Sequence, residues 1–219
     1  MKSTTHPTPR PLNATDSQSR HLLEFGRLLL VLPLKEQPPE GVGTIRCGGY
    51  HPTVVRRSGS EEPGRARFGA YNEDGDWSIE APYKPGDVVP LREPYAQAIV
   101  VKPNNGWQRV LEWVYKADYR GTERLVWAPA KQMREETIRL RPTVVMVECR
   151  RVSGITGDEA EAAAFKYETT SRGEIVVSRA GVDTAVRAFA ADWPRRHKRP
   201  ADAFDCCWGF FYTLSLKGK

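Results

Sequence analysis

The chain has 219 residues, which is long enough to bury a substantial core in one large domain. Charged residues make up 27% and hydrophobic residues 40%, so the composition excludes a wholly disordered chain and favours a globular protein. The formal net charge of +6 favours an anionic partner such as nucleic acid. The four cysteines have no CxxC or His/Cys metal spacing, so we expect reduced thiols, no metal and no cofactor in a cytoplasmic protein.

The first predicted elements are a helix and a strand. Asp16 is a suitable N-cap for a helix over Ser17–Phe25, and Gly26 is a suitable stop. The apolar run Leu28–Leu32, closed by Pro33, is too short to span a membrane. Because it is continuous instead of alternating, it predicts a strand buried on both faces.

The middle of the chain predicts strands and turns. Phe68–Glu80 has the pattern of a hairpin with Asp74-Gly75 at its turn. Further on, Pro-Gly-Asp predicts a turn that leads into a strand over Val88–Leu91, followed by Arg92, Glu93 and Tyr95. Small β-barrels place functional side chains at such a strand end. The same pattern also fits an ordinary hairpin edge with a surface Arg92–Glu93 ion pair.

Three further strands are predicted in the second half. Ala98–Lys102 and Val110–Ala117 flank a turn at residues 104–106. Arg141–Val152 is the clearest strand, and simple alternation places Val145, Val147 and Cys149 on one face.

Two helices and a closing strand complete the pattern. Thr156 and Glu159 form a capping box for a helix that runs to about Phe165. Apolar residues recur at helical spacing from Val182 to Trp193, and Pro194 predicts the end of that helix. An aromatic strand over Trp208–Leu216 closes the chain. The elements indicate an α+β protein with a strongly bent sheet or a barrel.

Several segments also match one family in their residues and their order. They are Pro82-Tyr83-x-Pro85-Gly86-Asp87, Arg92-Glu93, Val114–Asp118, Trp127-x-Pro129 with Met133, Val147–Phe165, Phe189–Trp193 and Trp208–Leu216. In this order they resemble the signature of ASCH-domain proteins encoded by phages and prophages, over roughly residues 10–217.

The resemblance implies a PUA-like fold, in which a bent β-barrel is flanked by helices. It implies one domain over residues 11–217, with loop insertions near residues 41–80 and 102–124. Residues 1–10 are polar and lack an apolar run, which predicts a flexible tail before the domain. Proteins of this superfamily are associated with RNA or with modified nucleobases, so the resemblance implies such a ligand in a cleft at the barrel rim.

Some compact ASCH proteins are amidohydrolases that remove an acyl group from the exocyclic amine of a modified cytidine. They use a lysine, a threonine and a glutamate, which can activate a nucleophile and move protons. The corresponding positions here are Leu28, Val31 and Ala163. Because apolar side chains can do neither, we predict that this chain has no catalytic residues for that reaction.

The predicted nucleic-acid site combines charged and aromatic residues. Arg92 and Glu93 would line the cleft, and cationic side chains would contact phosphates. The predicted phosphate contacts are Arg27, Lys131, Arg134, Arg195, Arg196, Lys198 and Arg199. Aromatic residues that could stack on bases are Tyr95, Trp107, Trp113 and Trp127, although aromatics on strands commonly belong to a core. The run Arg195–Arg199 equally fits an ordinary surface loop.

Three functions stay open at this point. The first is a non-catalytic module that binds RNA or a modified nucleobase. The second is a phage-derived effector that binds a host protein through the insertions. The third is a diverged amidohydrolase with a rearranged site that depends on Glu93. The acidic residues around Asp74 could hold a cation, or could form a solvated hairpin tip.

Overall fold

The computed structural model describes residues 9–103, 107–122, 124–163, 168–169, 175–176 and 182–216, and it has the predicted α+β class. The strands are β1 Leu12–Asn13, β2 Arg27–Pro33, β3 Ile45–Tyr50, β4 Thr53–Val55, β5 Glu61–Pro63, β6 Arg67–Asn72, β7 Ser78–Glu80, β8 Leu91–Arg92, β9 Tyr95–Pro103, β10 Trp107–Tyr115, β11 Thr143–Arg151, β12 Glu168–Thr169, β13 Ile175–Val176 and β14 Trp208–Ser215. The helices are α1 Asp16–Phe25, α2 Gly157–Ala162, α3 Val182–Arg196 and α4 Ala203–Cys206. Short 3-10 turns cover Ala130–Gln132, Glu135–Thr137 and Val152–Gly154.

A three-stranded antiparallel sheet, in the order β11–β14–β2, separates two cores. Leu28 and Phe210 belong to the first core, which also contains Ala70 from β6. Leu29, Val31 and Phe211 belong to the second core, against α2 and α3. Successive side chains of a strand point to opposite faces, so both faces of β2 and β14 are covered. The predicted two-sided burial of Leu28–Leu32 is confirmed.

The remaining described strands form small separate sheets. The antiparallel sheet β3–β6–β7 packs β3 against β11, and β9 and β10 form a long two-stranded ribbon. The β6–β7 hairpin turns at Gly75, whose φ of +77° suits glycine, as predicted. The predicted turn at residues 104–106 lies outside the described residues. Within the described part of the chain the strands pair as sheets of two or three, and a closed barrel is not among them.

The cap of α1 differs from the prediction. Thr15, not Asp16, is the N-cap: the Gln18 amide donates to Thr15 Oγ1 at 3.2 Å, and the Thr15 amide donates to Gln18 Oε1 at 3.0 Å. This reciprocal capping box satisfies two amides where a single aspartate would satisfy one. Asp16 instead forms an ion pair with Lys116 at 3.2 Å. Gly26 ends the helix with a φ of +70°, as predicted.

The two later helices behave differently at their ends. The capping box of Thr156 and Glu159 at the start of α2 is confirmed, and the predicted continuation to Phe165 falls outside the described residues. The predicted end of α3 at Pro194 is wrong, since the helix continues to Arg196. Proline removes one backbone donor, but the next turn is still closed by the His197 amide, which donates to the Trp193 carbonyl at 3.1 Å.

A β-bulge in β11 overturns part of the predicted face pattern. The register against β14 shifts between Val144 and Met146, so one extra residue enters the strand. As a result Val144 is 1% exposed, whereas Val145 is 56% exposed. Val147 and Cys149 are buried as predicted, but Val145 does not share their face. None of the helices in the described residues is long and apolar enough to cross a membrane.

Candidate functional site

An open cleft of about 640 Å³ lies beside the β9–β10 ribbon. Its walls are Ala98, Ile99, Trp113, Val114, Tyr115, Asp118, Tyr119, Arg120, Gly121, Thr122 and Arg139. The chain turns directly after β10, because the amides of Asp118 and Tyr119 both donate to the Tyr115 carbonyl. This turn brings a carboxylate and a second aromatic ring back beside the end of the ribbon.

Arg139 is the central group of the cleft. Its Nε and Nη2 donate to the two carboxylate oxygens of Glu93 at 2.9 and 3.0 Å, and its Nη1 donates to Asp118 Oδ2 at 2.5 Å. The guanidinium also lies 4.0 Å from the centre of the Tyr115 ring, whose hydroxyl donates to the Thr137 carbonyl at 2.7 Å. Burial alone would lower the pKa of Arg139, but the hydrogen bonds to Glu93 and Asp118 raise it above its ordinary value.

Glu93 supports the cleft without reaching it. Its side chain is 0% exposed, so the prediction that it lines the cleft is wrong. Burial raises the pKa of Glu93, and the hydrogen bonds and charge of Arg139 oppose that rise. The stretch before it runs beside residues 140–143, since the amides of Val89 and Leu91 donate to the carbonyls of Pro142 and Leu140. This pairing brings Glu93 next to Arg139.

Arg92 does not pair with Glu93, contrary to the predicted ion pair. Arg92 is in β8, which pairs with β1, so its side chain points away from that of its neighbour. Its Nε atom is buried and has no hydrogen-bond partner among the described residues. Arg92 is also not among the residues that line the cleft.

The predicted stacking residues separate into lining and supporting groups. Trp113 lines the cleft and is 43% exposed. Tyr95 packs against Trp113, with ring centres 5.4 Å apart, and donates from its hydroxyl to the Gln132 carbonyl at 3.1 Å. Trp127 packs edge-on against the cleft residue Tyr119, with 5.4 Å between the ring centres. The side chain of Trp107 is outside the described part of the structure.

The predicted phosphate contacts do not converge on the cleft. Lys131 and Arg134 are exposed on or beside the 3-10 turns, and Arg134 is 3.9 Å from Glu136. Arg27 is exposed at the start of β2, where it pairs with Ser215 of β14. None of these three residues is among those that line the cleft.

The basic run at the end of α3 is not a continuous exposed loop. Arg195 and Lys198 are exposed, but Arg196 forms an ion pair with Asp192 at 2.5 Å. Arg199 donates to the Leu34 carbonyl at 3.0 Å, which ties the run to the end of β2. Burial, together with the charge of Arg196, lowers the pKa of His197 to about 4. Half of the predicted contacts in this run therefore have structural roles.

A second cavity of about 240 Å³ lies between β2, α3 and the start of α1. Val31 and Ala163, two of the three positions at which the resemblance implies catalytic residues, both line it. The third position, Leu28, is buried in the opposite core. Since all three are apolar here, they offer this cavity no group that could attack an amide.

The acidic turn has ordinary partners. Asn72 donates to Asp76, and Glu73 forms an ion pair with Arg46. In the described part of the chain, no three His, Cys, Asp or Glu side chains are close enough to hold a metal ion.

The sequence analysis did not predict that Asp118, Tyr119 and Arg139 belong to the site, although all three line the cleft. Arg139 stands between the buried residues Ile138 and Leu140, a pattern that predicts only an outward-facing side chain. No feature of the neighbouring residues indicates that Arg139 pairs with Glu93 and Asp118.

Comparisons of the chain with models of known protein families, with curated proteins and with solved structures found no match in any of the three. The function is therefore argued from the cleft.

Proposed function

We propose that the protein is a non-catalytic nucleic-acid-binding module of ASCH/PUA-like type, whose cleft receives a base of RNA or a modified nucleobase. The observation that carries the proposal is the position of Trp113, which is 43% exposed on the cleft wall. Tyr119 and the Arg139–Asp118 pair share that wall. Exposed aromatic rings stack on bases, and a neighbouring carboxylate and guanidinium can bond to base edges.

The size and surroundings of the cleft agree with such a ligand. A volume of about 640 Å³ is within the range of small-molecule sites, and it is open enough for a base to enter while its backbone stays outside. Exposed cations that could contact the backbone include Arg120 at the cleft, with Arg27, Lys131, Arg134, Arg195 and Lys198 elsewhere. The net charge of +6 favours the approach of a polyanion.

A binding role agrees better with the residues than a hydrolytic one. The diverged hydrolase would need Glu93 to reach a substrate, but this carboxylate is wholly buried behind Arg139. Leu28, Val31 and Ala163 offer no alternative nucleophile or base. The PUA-like barrel, the phage or prophage origin and the cytoplasmic location are parts of this proposal.

Fluorescence anisotropy with labelled single-stranded RNA and DNA oligonucleotides tests the proposal. We expect binding that weakens at least tenfold between about 50 and 200 mM salt, because phosphate contacts release counterions. Trp113→Leu should weaken it by roughly tenfold or more through lost stacking. The matched control is Val126→Ala, an exposed residue outside the cleft wall, which should bind like the wild type. Absence of binding at the lower salt would refute the proposal.

A host-protein effector is the second candidate, because an exposed apolar pair lies at the edge of the ribbon face where Ile99 lines the cleft. Ile99 and Leu111 are directly opposite each other on β9 and β10, with 59% and 62% of their surfaces exposed. Neighbouring exposed apolar residues can mark a protein contact. Capture of one host protein that survives nuclease treatment and is lost in Leu111→Lys would favour this candidate over nucleic acid.

A further inference from the structure

The charges of the cleft are unevenly placed. One end of the cleft is formed by the carboxylates of Glu93, which is buried, and Asp118, which is half exposed, together with the guanidinium of Arg139, and these three groups leave one net negative charge. Arg120, which also lines the cleft, is exposed and donates from Nη1 to the Tyr119 carbonyl at 3.3 Å. The Arg139 end therefore repels anions, and Arg120 attracts them.

Arg139 is not available as an ordinary phosphate clamp. Its contacts with Glu93 and Asp118 use three of its five N–H groups, and both carboxylates neutralise its charge. Asp118 keeps one carboxylate oxygen outside this bond, and its side chain is half exposed. The free bonding capacity at this end thus favours a ligand that donates hydrogen bonds and carries positive charge.

The cleft already holds one planar cation on an aromatic ring. The Arg139 guanidinium lies over Tyr115 at 4.0 Å while two carboxylates bond to its edge. The other cleft aromatics, Trp113 and Tyr119, line the same cleft as the Asp118 carboxylate and offer further ring surface. Cations bind to aromatic faces most strongly when the ring is that of tryptophan.

We infer that the cleft selects a nucleobase whose ring carries a positive charge, such as a 1-methyladenine, over the uncharged parent base. The charged ring binds against Trp113, within reach of the Asp118 carboxylate that lines the same cleft, and the nucleotide's phosphate remains at the exposed Arg120. This inference rests on the proposed function and names the class of base that the same cleft takes.

Isothermal titration calorimetry of the full chain with three mononucleotides tests the inference. The probes are 1-methyladenosine 5′-monophosphate, its uncharged isomer N6-methyladenosine 5′-monophosphate, and adenosine 5′-monophosphate. The two methylated probes have the same non-hydrogen atoms and differ in methyl position and in the proton that charges the first, so a difference between them reports charge and methyl position. We expect the charged probe to bind roughly tenfold more tightly than either neutral one. Affinities that agree within about twofold would overturn the inference.

Substitutions test which side chains are responsible for the preference for the charged probe. Asp118→Asn should remove most of the preference for the charged probe, and Trp113→Leu should weaken its binding. Glu136→Gln removes an exposed carboxylate that does not line the cleft and should keep the preference. Thermal unfolding of each variant shows whether it is folded. A preference that survives Asp118→Asn in a folded protein would also overturn the inference.

The outcome separates this inference from the proposed function. If oligonucleotides bind with the expected dependence on salt and Trp113, but the three mononucleotides are not distinguished, the inference fails and the proposed function stands. If neither oligonucleotides nor mononucleotides bind, the proposed function itself fails.

Discussion

Glu93 and Arg139 are joined side by side through two hydrogen bonds of 2.9 and 3.0 Å, although 46 residues separate them along the chain. The carboxylate is wholly buried, and the guanidinium forms part of the cleft wall. A buried charge is tolerated when a partner neutralises it and bonds to its oxygens. The pair therefore fixes the position of Arg139, and through Arg139 the position of Asp118.

Glu93→Ala should destabilise the protein by about 2 kcal/mol, because it removes two charge-assisted hydrogen bonds from Arg139, which is partly exposed and keeps its bond to Asp118. The free energy of unfolding in urea measures the loss. The matched control is Glu136→Gln, whose carboxylate is exposed and 3.9 Å from Arg134. Exposed pairs of this kind contribute about 0.5 kcal/mol or less. Equal losses in the two variants would contradict the structural role of Glu93.

Stability should fall on the acid side partly because of His197. Burial lowers the pKa of this imidazole from 6.5 to about 4, with Arg196 and Arg199 adding to the effect and a backbone hydrogen bond to Val31 opposing it. The folded state thus favours the neutral ring. The contribution of the neutral imidazole to the free energy of unfolding is fully present above the unfolded-state pKa of 6.5. It is lost as the pH falls through the folded-state pKa near 4.

The corresponding measurement is urea unfolding of the wild type and His197→Gln across that range. Between neutral pH and about pH 4, the free energy of unfolding should fall by roughly 2 kcal/mol more in the wild type than in the variant. His51→Gln, at an exposed histidine, is the matched control and should retain the wild-type slope. Parallel pH profiles for wild type and His197→Gln would contradict this assignment.

The basic run should divide into binding and structural residues. The double substitution Arg195→Gln with Lys198→Gln removes two exposed charges and should leave the unfolding free energy within about 0.5 kcal/mol of the wild type. If these side chains contact phosphates, the slope of log affinity against log salt should fall by about 2. Arg199→Gln should instead cost about 1 kcal/mol of stability, because Arg199 donates to the Leu34 carbonyl. A loss of stability in the double variant, with none in Arg199→Gln, would contradict this division into binding and structural residues.

Gly69 should tolerate no side chain. It lies in β6 between β3 and β7, and a Cβ atom there would be 2.1 Å from the Ile79 carbonyl oxygen. Gly69→Ala must therefore displace backbone, at a cost of about 3 kcal/mol. Gly43→Ala is the control, since nothing lies within 4 Å of its added Cβ. Chemical denaturation of both variants measures the difference, and a neutral Gly69→Ala would show that β6 and β7 are farther apart.

The residues of the candidate site were only partly predictable. Trp113 was expected among four aromatics, but its exposure depends on the ribbon standing beside a cleft. Asp118 ends the Val114–Asp118 segment that carries the family resemblance, but that segment does not indicate its bond to Arg139. Arg139 has no sequence signal of its own, because both of its partners are distant in the chain. Glu93 was expected at the cleft, and it acts there only through Arg139.

The sequence alone determined those features that depend on neighbouring residues. The two-sided burial of Leu28–Leu32, the capping box of Thr156 and Glu159, and the glycines that end α1 and turn the β6–β7 hairpin follow from local hydropathy, hydrogen bonding and backbone sterics. The tertiary structure alone decided the Glu93–Arg139 pair and the bulge that exposes Val145. Each of these depends on packing between segments far apart in the chain, and local preferences carry no information about which distant partner a side chain will meet.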